Sequence, residues 1–293
     1  MFAGAHTALV TPFDDKGRID ADAFRAIIDR QFENGIKGVV PVGTTGESST
    51  LSTEEHQIVI GMAVRQTHKR GLVIAGTGSN STREAIDLTQ AAEEAGADAA
   101  LLVTPYYNKP SQEGLFQHYS AIAHSTGLPL MLYSIPGRCH IQIEVETCVR
   151  LAEACPNIRA IKEAGGVTER VRQLRAALPA DFEILSGDDA LTVDFMKEGA
   201  VGVVSVAGNL VPRAMASLAA AMLEGRIGEA EAIHARNAPL FNALLKLDTN
   251  PVPIKAALGL AGACLPKVRL PMVEMPPQKV EELRAILAES GLV

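Results

Sequence analysis

Eight short apolar runs, each followed by a longer amphipathic stretch, organise the first 224 residues of this chain. They fall at residues 5–10, 38–42, 72–76, 99–104, 130–134, 158–162, 182–186 and 202–206. Each is close to continuously apolar and of strand length, the pattern of parallel strands buried on both faces. The stretches between them read as helices: residues 20–34 place Phe24, Ile27, Ile28 and Phe32 on one side at helical spacing. Ser52 before Thr53-Glu54-Glu55 reads as an N-cap with an acidic first turn. Ser81-Thr82-Arg83-Glu84 has the form of a capping box. Asn34-Gly35, Ala95-Gly96 and Glu198-Gly199 each put a glycine at a helix exit just before a strand, where a left-handed residue ends the helix.

Strands alternating with helices predict a parallel sheet with right-handed crossovers. Eight units favour an α/β fold of the closed (β/α)8 TIM-barrel type over an open doubly wound sheet. From about residue 225 the strand signal disappears. Residues 227–247, 253–261 and 278–289 read as helices between proline-containing turns such as Asn250-Pro251-Val252-Pro253. The expected division is a catalytic barrel over 1–224 and a C-terminal helical appendage over 225–293.

Composition narrows the function classes. Hydrophobic residues make up 47% of the 293, charged residues 21%, and the formal net charge is −7 with no long Lys/Arg block. An aliphatic core is affordable, and the electrostatic footprint of a nucleic-acid binder is missing. No apolar run approaches the ~20 residues that span a bilayer. The first residues lack a basic start and apolar stretch, so a cytoplasmic protein with no membrane partner is expected. The four cysteines form no Cys-x-x-Cys pair and have no histidines at ligand spacing, so they read as reduced thiols without a metal.

In a barrel of this kind catalytic groups gather at the C-terminal ends of the strands. Lys162 ends the sixth run, in Ile158-Arg159-Ala160-Ile161-Lys162-Glu163. Desolvation there lowers a lysine's pKa toward the neutral amine that attacks carbonyls. The other nine lysines fall in expected loops or on helix faces, where a solvated charge is the ordinary reading. A buried ion pair with Glu163 would also explain Lys162, but adjacent strand residues point to opposite faces. Tyr133, in the fifth run, is either core or a proton shuttle beside that lysine. Arg138 follows Ile135-Pro136-Gly137 and is either a solvent-facing turn residue or a bidentate carboxylate receiver. Gly43-Thr44-Thr45-Gly46-Glu47 combines hydroxyls with glycines that let a small ligand approach the backbone, or it is a plain tight turn. Ser186-Gly187-Asp188-Asp189 is an anion-binding helix start or only a capped turn.

Taken in order, Gly43–Glu47, Gly76-Thr77-Gly78, 103–108, 133–138, 161–164, 185–189, 250–253 and Leu270-Pro271-Met272 resemble the dihydrodipicolinate synthase / N-acetylneuraminate lyase family end to end. The resemblance implies condensation of pyruvate with L-aspartate 4-semialdehyde in lysine and diaminopimelate biosynthesis. It implies no cofactor beyond a covalent imine on Lys162. Tyr133 then matches the proton donor and acceptor, and Thr44 and Tyr107 the rest of a hydroxyl relay, with Tyr107 coming from a neighbouring subunit. Thr45, Val204 and the Gly187 backbone match pyruvate contacts, and Arg138 the receiver of the semialdehyde carboxylate. A shared tyrosine implies a homo-oligomer, commonly a dimer of dimers. Ser48, Ser49, His56, Asn80, Glu84 and Tyr106 match positions that bind inhibitory L-lysine.

Ser134, Cys139, Gly165-Gly166 and Thr53 depart from the common family pattern, near the second-substrate and inhibitor positions. A sugar-acid aldolase of the same family would share Lys162 and Tyr133 but need not pair Tyr107 with Arg138. A non-catalytic keto-acid or lysine-binding barrel would have no use for the full relay. A phosphate-binding barrel would need a Gly-rich loop before a short helix near the last strands, which this chain lacks.

Overall fold

The computed structural model describes all residues from Met1 to Val293. Eight parallel strands close on themselves: β1 (Gly4–Ala8), β2 (Gly38–Val40), β3 (Leu72–Gly76), β4 (Ala99–Val103), β5 (Leu130–Ser134), β6 (Ile158–Glu163), β7 (Glu183–Ser186) and β8 (Gly202–Ser205). Closure is made by β8 pairing back onto β1, with His6 opposite Val204. The open doubly wound alternative is thereby excluded. The helices of the barrel are α1 (Ala21–Glu33), α2 (Thr53–Thr67), α3 (Thr82–Glu94), α4 (Gln112–Ala123), α5 (Pro136–Cys139), α6 (Val145–Ala154), α7 (Thr168–Ala177), α8 (Thr192–Lys197) and α9 (Pro212–Leu223). Three more follow: α10 (Ile227–Lys246), α11 (Val252–Leu260) and α12 (Pro277–Glu289).

Local signals placed these elements well. Ser52 and Glu55 form a complete reciprocal capping box at the start of α2. Ser81 caps α3, but the Glu84 carboxylate accepts from the Ser79 hydroxyl instead of returning to the Ser81 backbone, so that box is only half formed. Gly35, Gly96 and Gly199 all have positive φ. The second strand is shorter than its apolar run: Val42 takes φ 51°, which turns the chain into the Gly43–Glu47 loop before the run ends. Helix α5 was not foreseen; Pro136 at its first turn supplies the fixed φ that starts it.

Inside the barrel, Phe2, Val40, Ile74, Leu101, Met131, Leu185 and Val204 pack as one apolar column under Tyr133. Outside it, a larger cluster runs without a break from Phe24 and Ile28 on α1, through Val59 and Ile60 on α2, to Phe241, Ile254 and Leu283 on α10–α12. The C-terminal helices therefore share a core with the first barrel units, which holds the segments joining them against the barrel mouth. No helix is long and apolar enough to cross a membrane.

Candidate active site

Strand alternation on β6 sets the chemistry. Ala160 packs in the barrel interior and Ile161 against the outer helices, so Lys162 points inward and Glu163 outward. Glu163 is fully buried and pairs with Arg170 of α7 at 2.8 Å, while its other oxygen accepts from the Gly165 N–H. The ion-pair explanation for Lys162 fails for this reason. Lys162 is 5% exposed, and its Nζ sits 4.1 Å from the ring centroid of Tyr133, its register partner on β5. Burial lowers the ammonium's pKa to about 8; the Asp189 carboxylate opposes the fall and the Arg138 guanidinium assists it. The amine is thus poised near neutrality, as a carbonyl nucleophile must be.

The Tyr133 phenol is pushed up to about 12 by burial, offset in part by Arg138 and by a hydrogen bond with the Thr44 hydroxyl. It keeps its proton at neutral pH and can lend it to a neighbouring oxygen. Gly187 lies close against the lysine. A Cβ there would come within 2.9 Å of Lys162 Cε and 2.7 Å of Ala164 Cβ, so the residue type is set by space. The Ser186–Asp189 turn is capped: Asp188 accepts from the Ala190 N–H, and Asp189 from the Val206 and Ala207 N–H groups. Burial pushes Asp189 up to about 6, an effect resisted by those amides and by Ser205.

Thr44 and Arg138 line a cleft of about 750 Å³ at the mouth of the barrel. Thr45 is buried beside it, and Val204 is buried in the barrel interior near the C-terminal end of β8. Five of the six residues matched to the inhibitor position (Ser48, Ser49, His56, Glu84 and Tyr106) line the same cleft. Asn80 joins them by donating to the Tyr106 carbonyl at 3.1 Å. The His56 Nε2 donates to the Gly76 carbonyl at 2.8 Å, and burial holds this imidazole below its usual pKa. Tyr107 is not brought to the lysine within one chain. It stands on the surface with φ 72° and 91% of its area exposed.

Two features escaped the sequence. Lys255, expected to be solvated, is fully buried and pairs with Glu47 at 2.5 Å. Its Nζ also donates to the Lys267 carbonyl and lies 4.1 Å from the Phe13 ring. The signal was present in α11, whose other residues are apolar on every side, because such a helix is buried all round. The second is Asn250, which touches both Thr45 and Arg138 across the cleft. Nothing in local spacing could join residues 205 positions apart.

A partly neutral lysine, sunk in the C-terminal mouth of a closed (β/α)8 barrel against a proton-holding tyrosine, defines an enzyme of the Schiff-base-forming class. Within that class the chain belongs to the dihydrodipicolinate synthetase family, whose model matches residues 1–290. A 4-hydroxy-tetrahydrodipicolinate synthase of Persephonella marina is 48% identical over the full length of both chains. The solved 4-hydroxy-tetrahydrodipicolinate synthase of Methylacidiphilum fumariolicum is 52% identical, covering 99% of this chain and 96% of its own, with a TM-score of 0.97. The chloride-inhibited dihydrodipicolinate synthase of Acinetobacter baumannii, solved with pyruvate, is 44% identical over all of both chains at a TM-score of 0.98.

Proposed function

We propose that the protein condenses pyruvate with L-aspartate 4-semialdehyde to 4-hydroxy-tetrahydrodipicolinate, in the formation of diaminopimelate and lysine. The observation that carries this reading is the buried amine of Lys162, held against Tyr133 with a pKa near 8. Its neutral form adds to the keto carbon of pyruvate, and loss of water leaves a protonated imine. The imine draws electrons from the adjacent methyl group, which loses a proton and becomes an enamine carbon nucleophile. That carbon forms the new C–C bond to the aldehyde of the second substrate. The substrate's own amine then displaces Lys162, closing the ring and restoring the free lysine. Tyr133 carries protons to and from the departing oxygens, with Thr44 as the next hydroxyl of the relay.

Thr45, Val204 and the Gly187 backbone form the pyruvate pocket, and Arg138 receives the semialdehyde carboxylate. Tyr107 completes the relay from a second copy of the chain, consistent with its nearly full exposure in one chain. L-Lysine inhibits by occupying the part of the cleft lined by Ser48, Ser49, His56, Glu84 and Tyr106, with Asn80 alongside.

The test is borohydride reduction with pyruvate followed by peptide mass mapping, paired with a coupled turnover assay containing the semialdehyde. A pyruvate-derived adduct on the peptide bearing Lys162, together with turnover, supports the assignment. An adduct elsewhere, or turnover only with a sugar aldehyde, overturns it.

A further inference from the structure

We propose that Asn250 is a positioning residue for the keto acid: it fixes the direction of the Thr45 proton so that this hydroxyl donates into the pocket. The proposal rests on the reading of Thr45 as a pyruvate contact. Asn250 Nδ2 donates to Thr45 Oγ1 at 3.0 Å. A hydroxyl has one proton to give and lone pairs to receive with. Once the Thr45 oxygen accepts from the amide, its proton is left for another partner. An ionised keto acid offers only acceptors at its carboxylate, so a hydroxyl turned to donate is the form that recognises it. The Asn250 Oδ1 is buried without a partner, so the amide is held through its nitrogen alone.

The main chain of the same residue serves the other carboxylate receiver. The Asn250 carbonyl accepts from Arg138 Nη2 at 3.0 Å, leaving the rest of the guanidinium fork free. Asn250 is itself kept in place by its own segment. Lys255, one turn into α11, is locked to Glu47, and the Arg269 N–H donates to the second Glu47 oxygen at 2.9 Å. The chain that carries Asn250 is thus pinned to the loop that carries Thr45. Side chain and carbonyl of one residue act on two different substrate positions, and a side-chain substitution separates them.

The experiment is a double-mutant cycle on the full-length enzyme with Asn250→Ala, Thr45→Val and the two together, read as KM for pyruvate, KM for the semialdehyde and kcat. Asn250→Ala is expected to raise the pyruvate KM about tenfold, the worth of one buried hydrogen bond. It should leave the semialdehyde KM within about twofold, because the carbonyl that holds Arg138 is retained. The pyruvate defect of the double variant should equal that of Thr45→Val alone, since Asn250 then has no hydroxyl to direct. Asn250→Asp keeps the shape, presents only acceptors to Thr45, and should raise the pyruvate KM at least as much; it also serves if the alanine variant does not fold. Additive defects, equal rises in both KM values, or a wild-type pyruvate KM in Asn250→Asp would overturn the proposal. Wild-type protein without pyruvate-dependent turnover would instead overturn the reading of the site on which it rests.

Discussion

Consider the pH dependence of imine formation at Lys162. Burial brings this amine from an ordinary 10.5 to about 8. At pH 7 about one lysine in ten is then neutral, against about one in three thousand for a solvated lysine, a gain of about 300-fold in competent nucleophile. The sign follows directly. The neutral form rises as pH rises, and a lowered pKa moves the whole curve to lower pH. The trapping rate with pyruvate and borohydride should therefore climb about tenfold per pH unit below pH 7 and level off a little above pH 8. Stability runs the same way. The folded-state pKa lies below the unfolded one, so below pH 8 the charged, buried ammonium costs the fold about 3 kcal/mol, and the cost fades as pH rises from 8 toward 10.5. Lys162→Met should abolish trapping and, at pH 7, raise resistance to urea by up to that amount. A trapping rate that kept climbing tenfold per unit to pH 10 would refute the claim that burial activates the lysine. So would a Lys162→Met variant less stable than wild type.

Substitutions at Gly187 and at the Lys255–Glu47 pair test the surroundings. Gly187→Ala drives a methyl against Lys162 Cε, displacing the amine by a fraction of an ångström, and should slow single-turnover imine trapping about 100-fold; trapping at the wild-type rate would show that the glycine is not required for space. Lys255→Met leaves Glu47 as a buried, unpaired carboxylate and should cost about 3–5 kcal/mol in urea unfolding, whereas Lys255→Met combined with Glu47→Gln should recover most of the loss. Equal stability of the single and double variants would mean that the pair is not what holds the C-terminal segment to the loop.

The local code of this chain was readable because each rule acts over a few residues. Hydrophobic periodicity gave the strands, Ser52 and Glu55 gave the start of α2, and glycines at 35, 96 and 199 gave helix exits. Alternation along Ile161-Lys162-Glu163 put the lysine and the glutamate on opposite faces and so weakened the ion-pair reading. The packing of Ala160 inside and Ile161 outside the barrel decided that the lysine is the inward one. Position after a strand end singled out Thr44 and Arg138 in the cleft lining, because such residues gather at one face of any closed barrel. Ser48, Ser49, His56 and Glu84 were reached only through the family resemblance.

Contacts that depend on where distant segments meet were left to tertiary structure. That α11 would bring a buried lysine to Glu47, and Asn250 to Thr45 and Arg138, is decided by how α10–α12 dock on the outer face of the first barrel units. The half-formed box at Ser81 has a different, local cause: a serine two residues upstream donates to the Glu84 carboxylate and accepts from the Ser81 N–H. A backbone's preferences are written in its near neighbours; the pairing of charges and amides across 200 residues exists only once a shared apolar core has fixed the geometry, because burial is what makes such pairings obligatory.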